Sequence, residues 1–309
     1  MRVFVTGASG HIGSAVVPEL LRAGHQVVGL ARSDSSATAL QAAGAEVRRG
    51  DLDDLEGLAQ AAAAADGVIH LAFKHEWMRT GDFLGAVAAD LRAIEAIGEA
   101  LEGSDKPFVG TSGTMLLARA GIMGRAGTEQ DVLESGPRID AENTAIAFAE
   151  RNVRSSAVRL PPVVHSTLDH HGFAPNLIGI ARERGVSAYV GDGSNRWPSV
   201  HTLDAARAYR LALEAAPPGT RLHAVAEEGM PFREIAEVIG RKLGLPATSI
   251  PAEDAGEHFG FHGAFVALDN PTSATATQEL LGWEPTHAGL IADLEEGHYF
   301  QEASSAVAA

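Results

Sequence analysis

The sequence predicts an α/β fold, a doubly wound parallel sheet with a small C-terminal lobe, on three observations. A short apolar run at residues 3–5 breaks into glycines at 7, 10 and 13 and resumes as an amphipathic stretch. Strand-like runs then alternate with helical periodicity through the first half of the chain. That rhythm stops after Pro161 and Pro162, where an irregular stretch containing glycine, histidine and proline begins.

Each element follows from its pattern. Val3 to Val5 reads as a strand, and the glycines lead into a helix at 12–23 with Ile12, Val16, Val17, Leu20 and Leu21 at helical spacing. Further strands are predicted at 26–30, 46–49, 67–71, 106–110 and 156–160, separated by helices at 36–43, 54–65, 82–102 and 138–152. Such alternation makes a parallel sheet covered on both faces by right-handed crossovers. Segments 197–203 and 221–225 read as short returns to the sheet, and Pro246, Pro251, Pro271 and Pro285 punctuate a lobe rich in helix formers. The expected division is a first domain of residues 1–164 plus about 200–226, a lobe of about 165–199 plus 227–301, and a flexible tail at 302–309.

Composition narrows the partners. Lys and Arg number 24 against 40 Asp and Glu, a formal net charge of −16 that repels phosphate backbones and anionic lipid. Nucleic acid and membranes are therefore not expected partners. The absence of cysteine excludes disulfides, thiolate metal sites and cysteine nucleophiles, and fits a reducing compartment. No apolar run approaches the roughly 20 residues of a membrane span, and cleaving a signal peptide would remove the glycine turn. A cytoplasmic location is expected.

The glycine turn carries the first chemistry. A strand that ends in glycines and restarts as a helix offers backbone N–H groups and the positive end of a helix dipole to an anion. Gly7 takes the tight turn, Gly10 lets the main chain approach a pyrophosphate, and Gly13 lets the helix pack on the strand. An acidic residue about 20 positions further on holds a ribose 2′-hydroxyl, whereas an arginine suits a 2′-phosphate. Arg32 stands at that place, followed by Ser33, so NADP(H) is expected over NAD.

The string TGASGHIG at 6–13, Gly50–Asp51–Leu52 and His70–Leu71–Ala72 resemble the extended short-chain dehydrogenase/reductase family. Arg159–Leu160–Pro161–Pro162, the segment from Ser199 to Asp204 and Leu281–Gly282–Trp283–Glu284–Pro285 agree with it in order, over roughly residues 1 to 300. The resemblance implies a Rossmann-type fold and a nicotinamide cofactor. Its contacts would be Gly7, Ser9, Gly10, His11, Ile12 and Gly13, then Asp51 and Leu52 at the adenine. Leu71, Ala72, Phe73, Thr111, Leu160, Pro161 and Val163 would line the rest of its path. The resemblance also implies a homodimer paired through the helices at 82–102 and 138–152. A packed interior face equally explains Leu84, Val87, Leu91, Ile94 and Ile97 on the first of them.

The usual chemistry of that family needs a tyrosine that exchanges a proton with a substrate oxygen, a lysine one helical turn later and a serine or threonine. By the resemblance, Arg138 stands in the tyrosine position, Glu142 in the lysine position and Gly113 in the serine position. Tyr189, Tyr209 and Tyr299 lie outside the region. Arginine stays protonated at neutral pH, so it cannot act as the acid; it can polarise a carbonyl or clamp a carboxylate. Arg138 and Glu142 can equally pair with each other along the helix. Ser112 and Thr114 recover a hydroxyl if the loop is shifted by one residue.

His165 opens a loop in which three histidines and an aspartate fall within seven positions, and it is a candidate proton exchanger. His170 and His171 read as exposed, and no metal site is assigned. The catalytic candidates are thus Ser112, Arg138, Glu142 and His165. Lys74, His75, Trp77 and Arg79 follow the fourth strand, at the carboxyl edge where open sheets bind ligands. With Ser112, Thr114, His165, Arg196 and Trp197 they are the substrate candidates, suited to a flat or anionic compound; Trp197 can equally pack the lobe interface. The sequence thus predicts an NADP(H)-dependent oxidoreductase acting on a small carbonyl or hydroxyl compound with non-standard catalytic residues. A cofactor-binding sensor without catalysis, and an epimerase or dehydratase, are the alternatives.

Overall fold

The computed structural model describes residues 1–122 and 124–301, except for the side chains of Met78 and Arg79. The tail expected at 302–309 and the Arg79 side chain lie outside the described residues. Strands β1 (Arg2–Thr6), β2 (Gln26–Ala31), β3 (Glu46–Arg49), β4 (Gly67–His70), β5 (Pro107–Gly113) and β6 (Arg154–Leu160) fall where the pattern puts them. They are followed by β7 (Val163–His165), β8 (Ser187–Val190), β9 (Arg196–His201), β10 (Thr220–His223), β11 (Glu227–Pro231) and β12 (Ala247–Ile250).

The main sheet has seven strands in the order β10-β6-β5-β4-β1-β2-β3, and every pair is parallel. The order reverses between β1 and β4, because the chain runs outward from β1 to β3 and then returns to lay β4 against β1. The crevice outside the carboxyl ends of those two strands is where such sheets bind ligands.

Helices α1 (Gly13–Arg22), α2 (Asp34–Ala42), α3 (Leu55–Ala64), α4 (His75–Arg79), α5 (Phe83–Leu101), α6 (Met115–Arg119), α7 (Ile139–Ala147), α8 (Phe173–Arg184), α9 (Thr202–Ala215) and α10 (Phe232–Leu243) connect the strands. One face of the sheet is covered by α1, α2 and α9, the other by α3, α5 and α7. On α5 the buried stripe is Ala86, Ala89, Asp90, Ala93, Ile94, Ile97 and Leu101, while Leu84 is 69% exposed. Small side chains let α5 close on its neighbours. Gly98 shows how tightly, since a Cβ there would lie 2.1 Å from the Phe148 ring.

A separate apolar core joins Leu177 and Ile178 of α8, Trp197 of β9 and Phe232, Ile235 and Ile239 of α10. The return to the main sheet expected at 221–225 is β10. The one expected at 197–203 is not a return: β9 lies between β7 and β11 in a three-stranded sheet of its own, and α9 begins at Thr202. Its composition suits either sheet, and only pairing with β7 decides. No described helix is long and apolar enough to cross a membrane.

Candidate cofactor and active site

At the carboxyl end of β1 the chain turns through Gly7, whose φ is 65°. A Cβ on Gly7 would lie 2.7 Å from the Ala72 nitrogen, and one on Gly13 would lie 2.1 Å from the Gly7 oxygen. Neither contact is possible, so the close packing of α1 and of the segment after β4 on this turn requires glycine at both positions. The Gly10 N–H donates to the Gly7 carbonyl at 3.0 Å and closes the turn. Helix α1 then begins without a side-chain cap from Ile12 and without an acidic residue in its first turn. The Ser14, Ala15 and Val16 amides already bond the Gly10 and Ile12 carbonyls, which leaves the amides of His11, Ile12 and Gly13 in the turn, and the dipole of α1, free of a compensating partner. With Ser9 and Gly10 exposed, this donor set fits a pyrophosphate.

Beyond the turn, Asp51 is half-buried and Leu52 is buried in the core below it. The Lys74 ammonium hydrogen-bonds Asp53, lies 3.6 Å from Asp51 and sits 4.0 Å above the Trp77 ring. Lys74 therefore ties the segment after β4 to the one after β3 and is buried, which corrects its expected place against a substrate. Trp77 and His75 remain at the surface of α4, with the His75 ring edge-on to Phe73.

Arg138 directly precedes α7 with φ 66°, a left-handed conformation uncommon outside glycine. Its guanidinium lies 4.1 Å from the centre of the Phe73 ring, donates to the Thr111 carbonyl at 3.3 Å and comes within 3.9 Å of Asp90 Oδ2. Behind it runs a buried polar line. Asp90 Oδ1 bonds His70 Nε2 at 3.1 Å, His70 Nδ1 bonds Thr6 Oγ1 at 2.8 Å, and Thr6 Oγ1 accepts the Ala72 N–H at 3.2 Å. The line thus joins the Arg138 region to the backbone beside the glycine turn. The sequence reading missed Asp90. Its signal was a carboxylate within the alanine stripe of α5, where a buried charge needs partners.

Glu142 does not pair with Arg138. Its carboxylate accepts two hydrogen bonds from Arg159, at 2.6 and 2.9 Å, and one from Arg221 Nε at 2.7 Å. Burial by itself would raise this carboxyl, but the hydrogen bonds and charge of Arg159 overcome it and hold Glu142 below the usual carboxylate range. A saturated carboxylate between two guanidinium groups is a poor base, which corrects Glu142 as a catalytic candidate. Ser112 is buried beside it, its hydroxyl near the carboxylate but without a well-formed hydrogen bond. Thr114 is fully buried and accepts from Asn270, so it offers no open face to a substrate.

The tyrosines stand elsewhere. Thr111 Oγ1 donates to the His70 carbonyl at 2.7 Å, so Tyr209, fully buried on α9, must donate its hydroxyl to Thr111 at 2.9 Å. Tyr299 is engaged by Ser166 and Asp169, and Tyr189 belongs to β8. His165 is also sealed. Its Nδ1 bonds Asp293 at 2.9 Å inside the lobe and its Nε2 is enclosed without a partner, so the expectation of proton exchange with substrate is corrected. Trp197 is fully buried between Phe173 and Phe232, and Val163 belongs to the same core, so both are structural. Arg196 pairs with Asp269 at 2.8 Å on the lobe surface. Leu160 ends β6 and Pro161 follows it at the carboxyl edge, as Leu71 follows β4.

His11 turns away from the crevice, its Nε2 bonding Thr202 Oγ1 at 2.9 Å. Burial, reinforced by His170, His165 and His171, lowers it to about 4, and burial also lowers His223 to about 4. The unfolded chain protonates these rings near pH 6.5, the folded one only near pH 4, so stability is lost as pH falls through that window. Asp169, raised by burial, works in the opposite direction. Two rings outweigh one carboxyl. The melting temperature is expected to be level above about pH 7 and several degrees lower at about pH 5; a rise over that interval would give the dominant role to Asp169.

Residues 3–112 match the sequence model of the NAD dependent epimerase/dehydratase family. An uncharacterised protein of Schizosaccharomyces pombe is 48% identical over 302 residues, 97% of this chain and 100% of its own. The chain belongs to this family. A 2-alkyl-3-oxoalkanoate reductase of Stenotrophomonas maltophilia is 28% identical, over 80% of this chain and 77% of its own. The dTDP-glucose 4,6-dehydratase of Streptomyces venezuelae, solved with NAD and TYD bound, superposes with a TM-score of 0.76 at 19% identity over 96% of each chain. That likeness is one of fold.

Proposed function

We propose that this protein is an NADP(H)-dependent oxidoreductase acting on a small carbonyl or hydroxyl compound. The observation that carries the reading is the β1 turn, where Gly7 and Gly13 are sterically required and α1 presents an uncapped end to the crevice. The choice of NADP(H) rests on the end of β2. The Arg32 side chain is 68% exposed, and its carboxylate neighbour Glu76 is 4.0 Å away, too exposed and distant to hold it firmly. Beside it Ser33 caps α2, and Arg49 pairs with Asp34. A 2′-phosphate there gains a guanidinium and nearby hydroxyl groups.

The turn from Gly7 to Gly13 and Arg32 would hold the dinucleotide, which when bound would provide the hydride for reducing a carbonyl to its alcohol, the balancing proton coming from solvent. The reductase among the relatives supports this chemistry. NADPH is expected to bind about tenfold more tightly than NADH, and Arg32→Ala to bring the two together. Calorimetric titration of both cofactors checks this, and equal affinity in the unmodified protein would remove the NADP(H) assignment.

A second reading, a cofactor-binding sensor, is favoured by Arg138 and the saturated Glu142 at positions where the resembled family has its tyrosine and lysine. Tight NADPH binding with no oxidation of NADPH across a broad carbonyl panel would select it. The same replacements count against an epimerase or dehydratase, which also needs proton-transfer groups.

A further inference from the structure

We propose that Arg138 is the receptor for a carboxylate on the substrate, so that the compound oxidised or reduced is a hydroxy or oxo acid. The inference rests on the oxidoreductase reading and names the substrate class of that same site.

Arg138 carries donors that its neighbours leave unused. The Arg138 side chain is 19% exposed, yet its hydrogen bond to Thr111 is long, at 3.3 Å, and Asp90 at 3.9 Å lies beyond hydrogen-bond reach. None of its nitrogens is among the described polar atoms sealed without a partner, so the remaining N–H groups reach solvent. Asp90 Oδ2 is the reverse case, sealed and unpartnered on the inner side. Asp90 thus stands beside Nη1 and the Thr111 carbonyl beside Nη2, and neither contact uses up the donors of the group. Phe73 supports the flat face, which sets the plane of the group.

A guanidinium held by its face presents its edge, and the edge matches the paired oxygens of a carboxylate. The nearby cations are engaged elsewhere, Lys74 by Asp53 and both Arg159 and Arg221 by Glu142. The left-handed backbone of Arg138 adds a cost that non-glycine residues rarely bear, and such strain persists where surrounding structure holds a group in place for a ligand. Thr111 lies in the carboxyl half of β5 and Phe73 follows the adjacent strand β4, so a carboxylate on Arg138 lies at the ligand-binding end of the sheet. Asp90 is a positioning residue: it attracts the guanidinium across 3.9 Å and is linked through His70 and Thr6 to Ala72 at the glycine turn.

The test compares acids with their uncharged esters. Acetoacetate against methyl acetoacetate, and benzoylformate against methyl benzoylformate, are titrated into the protein with and without NADPH, and NADPH oxidation is followed with each. The acid is expected to bind about ten- to a hundredfold more tightly than its ester. Arg138→Gln should abolish that preference, Arg138→Lys should restore part of it, and Asp90→Asn should weaken acid binding with less effect on the ester. NADPH affinity and melting temperature, measured on each variant, should stay near those of the unmodified protein. An acid preference that survives Arg138→Gln, or no preference at all, overturns the proposal while leaving the oxidoreductase reading in place. Failure of NADPH to bind overturns the oxidoreductase reading, and acid preference measured without cofactor still reports on Arg138. If Arg138→Gln does not fold, the Lys and Asp90→Asn variants decide: acid-to-ester ratios unchanged in both sink the idea.

Discussion

Glu142→Ala is expected to destabilise the protein by about 3–5 kcal/mol, because it leaves a buried guanidinium without its counter-charge. Arg159 is 2% exposed and donates twice to Glu142, while Arg221 completes the cluster from β10. Without the carboxylate, two positive groups face each other, one of them buried and the other only partly exposed. Urea unfolding measures the loss as a lower midpoint at constant slope. Glu142→Gln, which keeps the shape and one acceptor, should fall between. The alternative is that Glu142 acts as a base; Glu142→Gln would then keep its stability and lose turnover. A stability loss below about 1 kcal/mol in the alanine variant would return Glu142 to the catalytic candidates.

Gly13→Ala is expected to weaken dinucleotide binding about a hundredfold, the effect of moving a binding group by roughly an ångström. The new Cβ would lie 2.1 Å from the Gly7 carbonyl oxygen and 2.6 Å from the Ala8 carbonyl carbon, both backbone atoms that cannot swing aside. Helix α1 must retreat from β1 and carry its amides away from the crevice. Gly179→Ala is the control. There, within α8, a Cβ meets nothing within 4 Å, and unchanged affinity is expected. Calorimetric titration with NADPH measures both variants. Unchanged affinity in Gly13→Ala would mean that the dinucleotide does not use this turn.

Local pattern made the first half of the fold legible. Strands β1, β2, β4 and β5 each carry a short apolar run, the helices between them repeat at helical spacing, and β3, whose one apolar residue is Val47, is placed by that alternation. The second lobe was harder to read. Strands β8 and β12 are four residues each, and β12 is mostly exposed, so no alternation marks them and only their mutual pairing makes them strands. On α5, Ile94 and Ile97 lie in the buried stripe while Leu84, Val87 and Leu91 do not. Leu84, Val87 and Leu91 are the larger side chains, but tight packing selects the alanines of the adjacent stripe.

For the site, the division follows the range of the interactions. The sequence by itself determined the glycine turn, the arginine after β2 and the absence of a tyrosine at the usual place, because each depends on spacing along one continuous segment. Tertiary structure alone decided what the remaining polar groups do. Glu142 meets Arg221 from 79 residues away, His165 meets Asp293 from 128 away, and Arg138 reaches Thr111 across 27. A charge takes its role from whatever the fold places within a few ångströms of it, and for Arg138 that left unused donors at the carboxyl edge of the sheet.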